Sequence, residues 1–337
     1  MSAIRFAVVG TGWVAGEYIK AIDALQDAEL HAVVSENAER AHRKLAEHRM
    51  NAKVFTDYQA AVEDSNVDAV VLCSTPNARC EQVVLAARNG KHMVIEKPLC
   101  MNPGELLAMR EAIEKWPVHT IASFVLRWNP SFQNTRALIQ DDAIGRPFLV
   151  NVDYWHHVGP QYGQYRWSKT KQSGGSSILS AGCHAVDAIR FFAGEIEEVT
   201  AYGCRTWKNS DYEFDPNAVA IFKLKNGGIG KLSSSLECKT PYKFNVHILG
   251  EKGAIMNNQL FTHKLPGQTD YAEIPTISPD SGDVSHHPFT QEIEDFVNAI
   301  RRNTGTLCDM KDALRTMEAC FAIDESIASG KSVKLSL

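Results

Sequence analysis

The first 120 residues alternate short, continuous apolar runs with segments of helical spacing. Residues 4–9 form an apolar run that stops at Gly10, and 15–25 carries apolar positions at helical spacing. A second run at 30–34 leads into a charged helix over 38–50, and a third run covers 68–73. Asn77 stands where a cap would start the next helix, Gly90 where that helix would end, and 92–95 is a further strand. Strands that are apolar throughout, rather than alternating, are buried on both faces. With helices between them, they predict a parallel sheet covered on both sides.

The pattern changes after about residue 122. Segments 148–158, 198–207, 218–225, 228–238 and 244–249 read as strands. Asn226-Gly227 lies between two of them and predicts a hairpin, because the two-residue turn that suits strand twist needs positive φ at both positions. Hairpins imply an antiparallel sheet. One long helix over 176–192, ended by Gly194, interrupts the strands, and the tail returns to helices at 289–302 and 311–329. No internal repeat or low-complexity linker is present. The expected plan is a nucleotide-binding α/β domain followed by an α+β domain.

Composition narrows the picture only a little. A length of 337 residues suits two domains, and 44% hydrophobic with 22% charged residues is ordinary for a globular chain. A net charge of −5, from 35 basic and 40 acidic residues, argues against non-specific nucleic-acid binding. The start lacks the basic flank and cleavage site of a secretory signal. No run of about 18 apolar residues occurs, so no membrane span and a cytoplasmic protein are expected. The eight cysteines include no C-x-x-C pair, so no zinc site or redox pair is expected.

Gly10-Thr11-Gly12-Trp13-Val14-Ala15 joins the first run to the first helix in a G-x-G-x-x-A pattern. Gly10 permits the tight turn, Gly12 lets the backbone approach a pyrophosphate, and Ala15 keeps the helix close to the strand. The phosphates would sit at the helix N-terminus, among free N–H groups and the positive end of the helix dipole. In a strand–turn–helix setting the pattern marks a dinucleotide site. The end of the second strand selects the cofactor. An acid there hydrogen-bonds the adenosine ribose diol and repels a 2′-phosphate, so Glu36 favours NAD. Ser35, with Arg40 one turn into the next helix, is the competing arrangement that would hold the phosphate of NADP.

Further stretches carry a family resemblance. Ser74-Thr75-Pro76-Asn77 follows the run 69–73, Glu96-Lys97-Pro98 follows 92–95, and 174–187 reads GGSSILSAGCHAVD. With GTGWVA, with Gly250-Glu251-Lys252-Gly253 and with the closing 292–335 stretch, they resemble the glucose–fructose oxidoreductase / inositol dehydrogenase (Gfo/Idh/MocA) family nearly end to end. The resemblance implies an N-terminal Rossmann domain over 1–122. It also implies a C-terminal α+β domain over 123–337 with a large open, mainly antiparallel sheet. It implies NAD(P)-dependent oxidation or reduction of a sugar, glycoside or cyclitol, and pairing of copies into a homodimer or homotetramer. The family's EKP lysine falls on Lys97 and its helix histidine on His184, the two implied catalytic residues. The expected cofactor contacts are Gly10, Thr11, Gly12, Trp13, Val14, Ser35, Glu36, Arg40, Ser74, Thr75, Pro76, Asn77, Glu96 and Lys97. Two positions depart from the family pattern. Ser180 replaces the usual acid four residues before the histidine, and Cys80 replaces the histidine of T-P-N-x-x-H.

Alcohol oxidation by NAD needs a hydride acceptor, a group for the hydroxyl proton, and fixed geometry between them. Lys97 follows a parallel strand at its carboxyl end, where open α/β sheets place ligands, and the Lys97–Pro98 bond is open to the cis form. It acts either as a base, if burial beside a positive nicotinamide weakens its hold on the proton, or as a charge holding the substrate oxygen. Histidine is the better base on intrinsic grounds. Ser180, His184 and Asp187 fall on one helical stripe. Asp187 either orients the imidazole in place of the missing acid or serves as a structural acid.

The expected substrate contacts are Lys97, Arg127, Trp128, His156, Tyr165, Trp167, Ser180 and His184. His156 and His157 are adjacent on a strand and point to opposite faces, so they make no metal pair and one of them contacts substrate. The loop 159–167 holds Tyr162, Tyr165, Arg166 and Trp167, which suit either a polyhydroxylated ring or a subunit interface. Arg127 binds either substrate or an acid at the domain seam, and Trp128 is either core or pocket wall. His286-His287-Pro288 is assigned no chemistry. Two other functions stand beside the dehydrogenase: a reductase of a C=O, C=N or conjugated bond, and a catalytically silent NAD- or sugar-sensing regulator.

Overall fold

A computed structural model describes residues 2–206, 210–279 and 287–336. The chain divides into two compact units, Met1–Val125 with Val284–Leu314, and Leu126–Asp283 with Arg315–Leu337. The first unit holds a six-stranded parallel sheet. Its strands are β1 (Ile4–Val9), β2 (Ala28–Val34), β3 (Lys53–Phe55), β4 (Ala69–Leu72), β5 (His92–Ile95) and β6 (Thr120–Ala122), in the order β3-β2-β1-β4-β5-β6. β4 and β5 are apolar and almost wholly buried, as continuous apolar runs require. The helices are α1 (Trp13–Asp23), α2 (Ala38–Glu47), α3 (Tyr58–Glu63), α4 (Arg79–Arg88) and α5 (Pro103–Lys115). Asn37, Asp57 and Asn102 cap α2, α3 and α5 by accepting backbone N–H groups of the first turn. Asn77 is not a cap. It lies inside a 3-10 turn, Pro76–Ala78, that precedes α4.

The second unit holds a nine-stranded sheet of β7 (Pro147–Trp155), β8 (Ile196–Cys204), β9 (Asn217–Leu224), β10 (Ile229–Ser235), β11 (Lys243–Gly250), β12 (Gly253–Met256), β13 (Gln259–Thr262), β14 (Ala272–Glu273) and β15 (Val333–Lys334). Among the described residues, only the β7–β10 pair of this sheet is parallel. Its helices are α6 (Pro130–Gln140), α7 (Tyr165–Ser168) and α8 (Cys183–Ala193). Strand alternation divides the two faces. On β9, Ala218, Ala220, Phe222 and Leu224 turn inward, while Val219 and Ile221 remain exposed. Tyr202, Ile229 and Leu249 are exposed on the same open face.

Several elements differ from expectation. The helix expected over 176–192 begins as a π-helical segment, Ile178–Gly182, before α8. The 226–227 turn has positive φ at Gly227 alone. Asn226 instead spends its side chain on the Ala193 carbonyl, at 2.8 Å, and the Gly228 N–H, at 3.0 Å. The short strands β3, β6 and β12–β15 carry too few residues to show a period. Helix α9 (Phe289–Arg302) belongs to the first unit rather than the second. The reason is its apolar stripe: Phe289 stands edge-on to Tyr18 of α1 at 4.8 Å, and Phe296 lies 6.2 Å from Phe6 of β1. Helix α10 (Met310–Ser329) follows it. Trp207, at the end of the expected strand 198–207, and His286 lie outside the described residues. Among the described residues, no helix is long and apolar enough to cross a membrane.

Candidate active site

In the first unit the strand order reverses between β1 and β4. The segments that follow these two strands leave the sheet on either side of the reversal, where open α/β sheets bind ligands. Gly10 has φ 110°, and a side chain there would meet the Cys73 carbonyl oxygen at 3.0 Å, so only glycine fits. Gly12 is the N-cap of α1 and offers no side-chain cap, and a Cβ added to it would find nothing within 4 Å. The first-turn N–H groups therefore keep open space before them, which is the cradle a pyrophosphate needs. Ala15 is fully buried and Trp13 is exposed. After β2, Glu36 and Arg40 are both exposed, and the Ser35 hydroxyl accepts the Asn37 N–H at 3.3 Å.

The two other motif segments are tied together by a residue that no motif marked. Buried Arg79 donates to the Ser74 carbonyl at 2.8 Å and to the Pro98 carbonyl at 2.5 Å. Pro76 is buried, while Thr75 and Asn77 are exposed. Lys97 is half-buried and its bond to Pro98 is cis. Its backbone N–H donates to one Glu96 carboxylate oxygen at 3.0 Å, and the Tyr18 hydroxyl donates to the other at 3.1 Å.

In the second unit His184 sits in the first turn of α8, buried. Its ring stacks on Tyr154 with centroids 6.2 Å apart and 19° between planes. The Tyr154 hydroxyl lies 3.3 Å from His156 Nδ1, and His156 Nε2 lies 3.1 Å from the Tyr162 hydroxyl. Tyr242 stands edge-on to Tyr154 at 5.6 Å and to His156 at 5.3 Å. His156 shares the buried face of the β7 register with Tyr154. His157 faces the other way, where burial and the Lys239 ammonium, 3.3 Å from its Nε2, push its pKa down. The period-2 rule applied to β7 would have joined Tyr154 to His156. Tyr242 carried no comparable signal.

Of the loop aromatics, Tyr162 reaches this cluster. Tyr165 turns away, donating to Asp211 at 3.2 Å and standing edge-on to Tyr212, and Trp167 is 38% exposed. Gly174 is required by the turn before the π segment, because a side chain there would fall 1.8 Å from the Ser168 carbonyl oxygen. The π segment also breaks the helical stripe, since Ser180 precedes His184 across a wider turn than an α-helix makes. Asp187 has the contacts of a structural acid. It accepts Arg127 Nε at 2.8 Å, Arg127 Nη2 at 2.7 Å and the Thr316 hydroxyl at 2.9 Å, all buried. Two Arg127 nitrogens are thereby committed to an acid, the alternative to a substrate contact. Trp128 is buried.

Comparison with known proteins agrees along the chain. The family model described as "Oxidoreductase family, NAD-binding Rossmann fold" matches residues 4–122, and the "GFO/IDH/MocA C-terminal domain" matches 132–256. The chain is 24% identical to the myo-inositol 2-dehydrogenase of Thermotoga maritima, over 98% of each protein. It is 23% identical to the scyllo-inositol 2-dehydrogenase (NAD(+)) of Bacillus subtilis, over 98% of this chain and 96% of that one. Its fold matches that of a levoglucosan dehydrogenase solved with NADH and L-sorbose, with a TM-score of 0.89, 19% identity and 99% of each chain covered. Two matched domains in the same order, and a glycine cradle shaped for a pyrophosphate, agree: the chain belongs to the Gfo/Idh/MocA oxidoreductases, with an NAD-binding Rossmann domain ahead of that family's C-terminal domain.

Proposed function

We propose that the chain is a dehydrogenase that moves a hydride between NAD and a secondary hydroxyl, or the matching ketone, of a sugar, glycoside or cyclitol. The observation that carries this is the cluster of buried His184, Tyr154 and His156 with half-buried Tyr162 and Tyr242. Aromatic faces suit the apolar C–H faces of a polyhydroxylated ring, and phenol and imidazole groups suit its hydroxyls. The relatives named for inositols and the neighbour solved with L-sorbose support the same substrate class. Gly10, Thr11, Gly12, Trp13 and Val14 would hold the pyrophosphate, Glu36 the ribose diol, and Ser74–Asn77 with Glu96 and Lys97 the remaining length of the cofactor. NAD supplies the hydride acceptor when bound. Lys97 and His184 handle the hydroxyl proton and hold the oxygen it leaves. Arg127 is left out of the substrate set, and Tyr162 and Tyr242 join it.

A panel of sugars, glycosides and inositols, assayed with NAD by absorbance at the reduced-cofactor band, tests the proposal. Turnover on at least one polyol is expected. Tight NAD binding with no turnover across the panel would replace the enzyme with a sensor.

Cofactor preference is a separate expectation. Calorimetric titration should give NAD at least about tenfold tighter binding than NADP, because Glu36 would face the 2′-phosphate with like charge. Glu36→Ala should narrow that gap. Equal affinities in the unmutated protein would show that Ser35 and Arg40 dominate.

We place the protein in the cytoplasm, on the support of eight cysteines among which the described residues form no disulfide. We also propose that copies associate through the open sheet face. Tyr202 is 74% exposed and Ile221 58% exposed, and Val219, Ile229 and Leu249 are exposed on the same face, an apolar grouping of the kind that marks an interaction surface.

A further inference from the structure

The first unit contains a buried polar cluster that neither the glycine loop nor the proposed proton chemistry uses. Tyr18 of α1, Glu96 after β5, Ser123 after β6 and Glu292 of α9 are all buried, Tyr18 and Glu292 completely. The Tyr18 hydroxyl oxygen lies 3.1 Å from Glu96 Oε1, 2.7 Å from Ser123 Oγ and 3.3 Å from Glu292 Oε2. Ser123 Oγ lies 3.2 Å from Glu292 Oε2. Two carboxyl groups thus share one phenol oxygen, all of them buried.

We propose that Glu292 is held as a neutral carboxylic acid and acts, through Tyr18 and Glu96, as a positioning residue for Lys97. The proposal rests on the catalytic reading of Lys97. Proton accounting supports it. The neutral acid donates from Oε2 to the Tyr18 oxygen, Tyr18 donates to Glu96 Oε1, and Glu96 Oε2 accepts the Lys97 N–H at 3.0 Å. With the Ser123 hydroxyl, three protons then serve the four contacts among these groups. An ionised Glu292 would leave two protons and set a second anion beside Glu96. The remaining oxygen, Glu292 Oε1, is buried with no hydrogen-bond partner among the described residues. A carbonyl oxygen of a neutral acid tolerates that far better than a carboxylate does.

The surroundings act in the same direction. Burial first, and then the charges of Glu96 and Asp295, push the Glu292 carboxyl well above the usual range, against the opposing influence of its hydrogen-bond contacts with Ser123 and Tyr18. Cys73, after β4, is likewise raised by burial and by Glu96, while Arg79 of α4 opposes that shift. Neither thiol nor phenol adds a positive charge that would favour an anionic Glu292.

Infrared spectra of the full-length protein at pH 7, compared with Glu292→Gln, test the protonation state directly. A protonated-carboxyl C=O band present in the wild type and lost in the variant is expected. Its absence from the wild type overturns the proposal. Stability gives a second readout. An acid with a raised folded pKa has its full stabilisation below the ordinary glutamate range and loses it as pH rises toward the folded value. Glutamine has no such loss, so the melting temperature of Glu292→Gln relative to wild type should climb from pH 5 to pH 9. A flat difference overturns the proposal.

Kinetics test the positioning. Glu292→Ala should lower kcat about tenfold or more with NAD affinity little changed, and Glu292→Gln should recover most of that loss. Equal losses in both variants overturn the positioning role. If Lys97→Met keeps wild-type kcat, the catalytic reading of Lys97 fails, while the infrared band still reports a neutral Glu292.

Discussion

Lys97→Met should lower kcat by about 10²–10⁴-fold on the best polyol substrate, the usual contribution of a positioned proton-transfer group. NAD affinity, measured by calorimetry, should change far less than kcat, because the pyrophosphate and ribose contacts, which make up most of the cofactor site, lie elsewhere on the unit. The expectation rests on how firmly the residue is placed. Its backbone N–H is held by Glu96, and the segment that follows is held by Arg79 through the Pro98 carbonyl. Such anchoring costs ordering free energy, and a solvated strand-end lysine would not need it. Lys97→Arg separates the two roles left for this side chain. Arginine stays charged at every accessible pH, so it restores a charge-holding function and cannot restore a base. His184→Ala should cost the same order in kcat. If the two residues serve one step, the double variant loses less than the product of the single losses. Wild-type kcat in either single variant removes that residue from the mechanism.

What the sequence showed and what it hid divides along one physical line. GTGWVA was legible because its glycines answer to local backbone demands: a positive φ at Gly10 and open space at Gly12. The apolar strands were legible because burial on both faces leaves a continuous run. Arg79 was not legible, because its acceptors at Ser74 and Pro98 are brought to it by the fold rather than by any period. The same holds for Tyr242, which meets Tyr154 and His156 only through sheet register. Helix α9 read correctly as a helix. Its apolar stripe could not say which core it would cover. The π segment before α8 carries no compositional mark, so the stripe drawn through Ser180, His184 and Asp187 assumed a regular helix that the chain does not make.

Asp187 should prove the most costly side chain to remove from the second unit. Its two oxygens accept three donors, and the network continues from Thr316 to Arg190 at 2.6 Å and from Arg190 to Glu195 at 2.8 Å. Asp187→Ala removes the carboxylate that Nε and Nη2 of the buried Arg127 guanidinium bond. Breaking one half of a buried pair typically costs about 3–5 kcal/mol, which for a unit of this size is a fall of roughly 6–20 °C in Tm. Calorimetry with reversibility checked would read it, since a chain of two units need not melt in one step. The pair itself is a different matter. Two buried charges lose hydration that their attraction only partly returns, so Arg127→Met with Asp187→Leu should recover much of the stability lost by Asp187→Ala alone. That contrast separates a structural acid from one that orients His184. An orienting role predicts lost kcat with Tm nearly unchanged, and no rescue by the apolar pair. The geometry favours the structural outcome, because Arg127 and Thr316 already occupy both carboxylate oxygens.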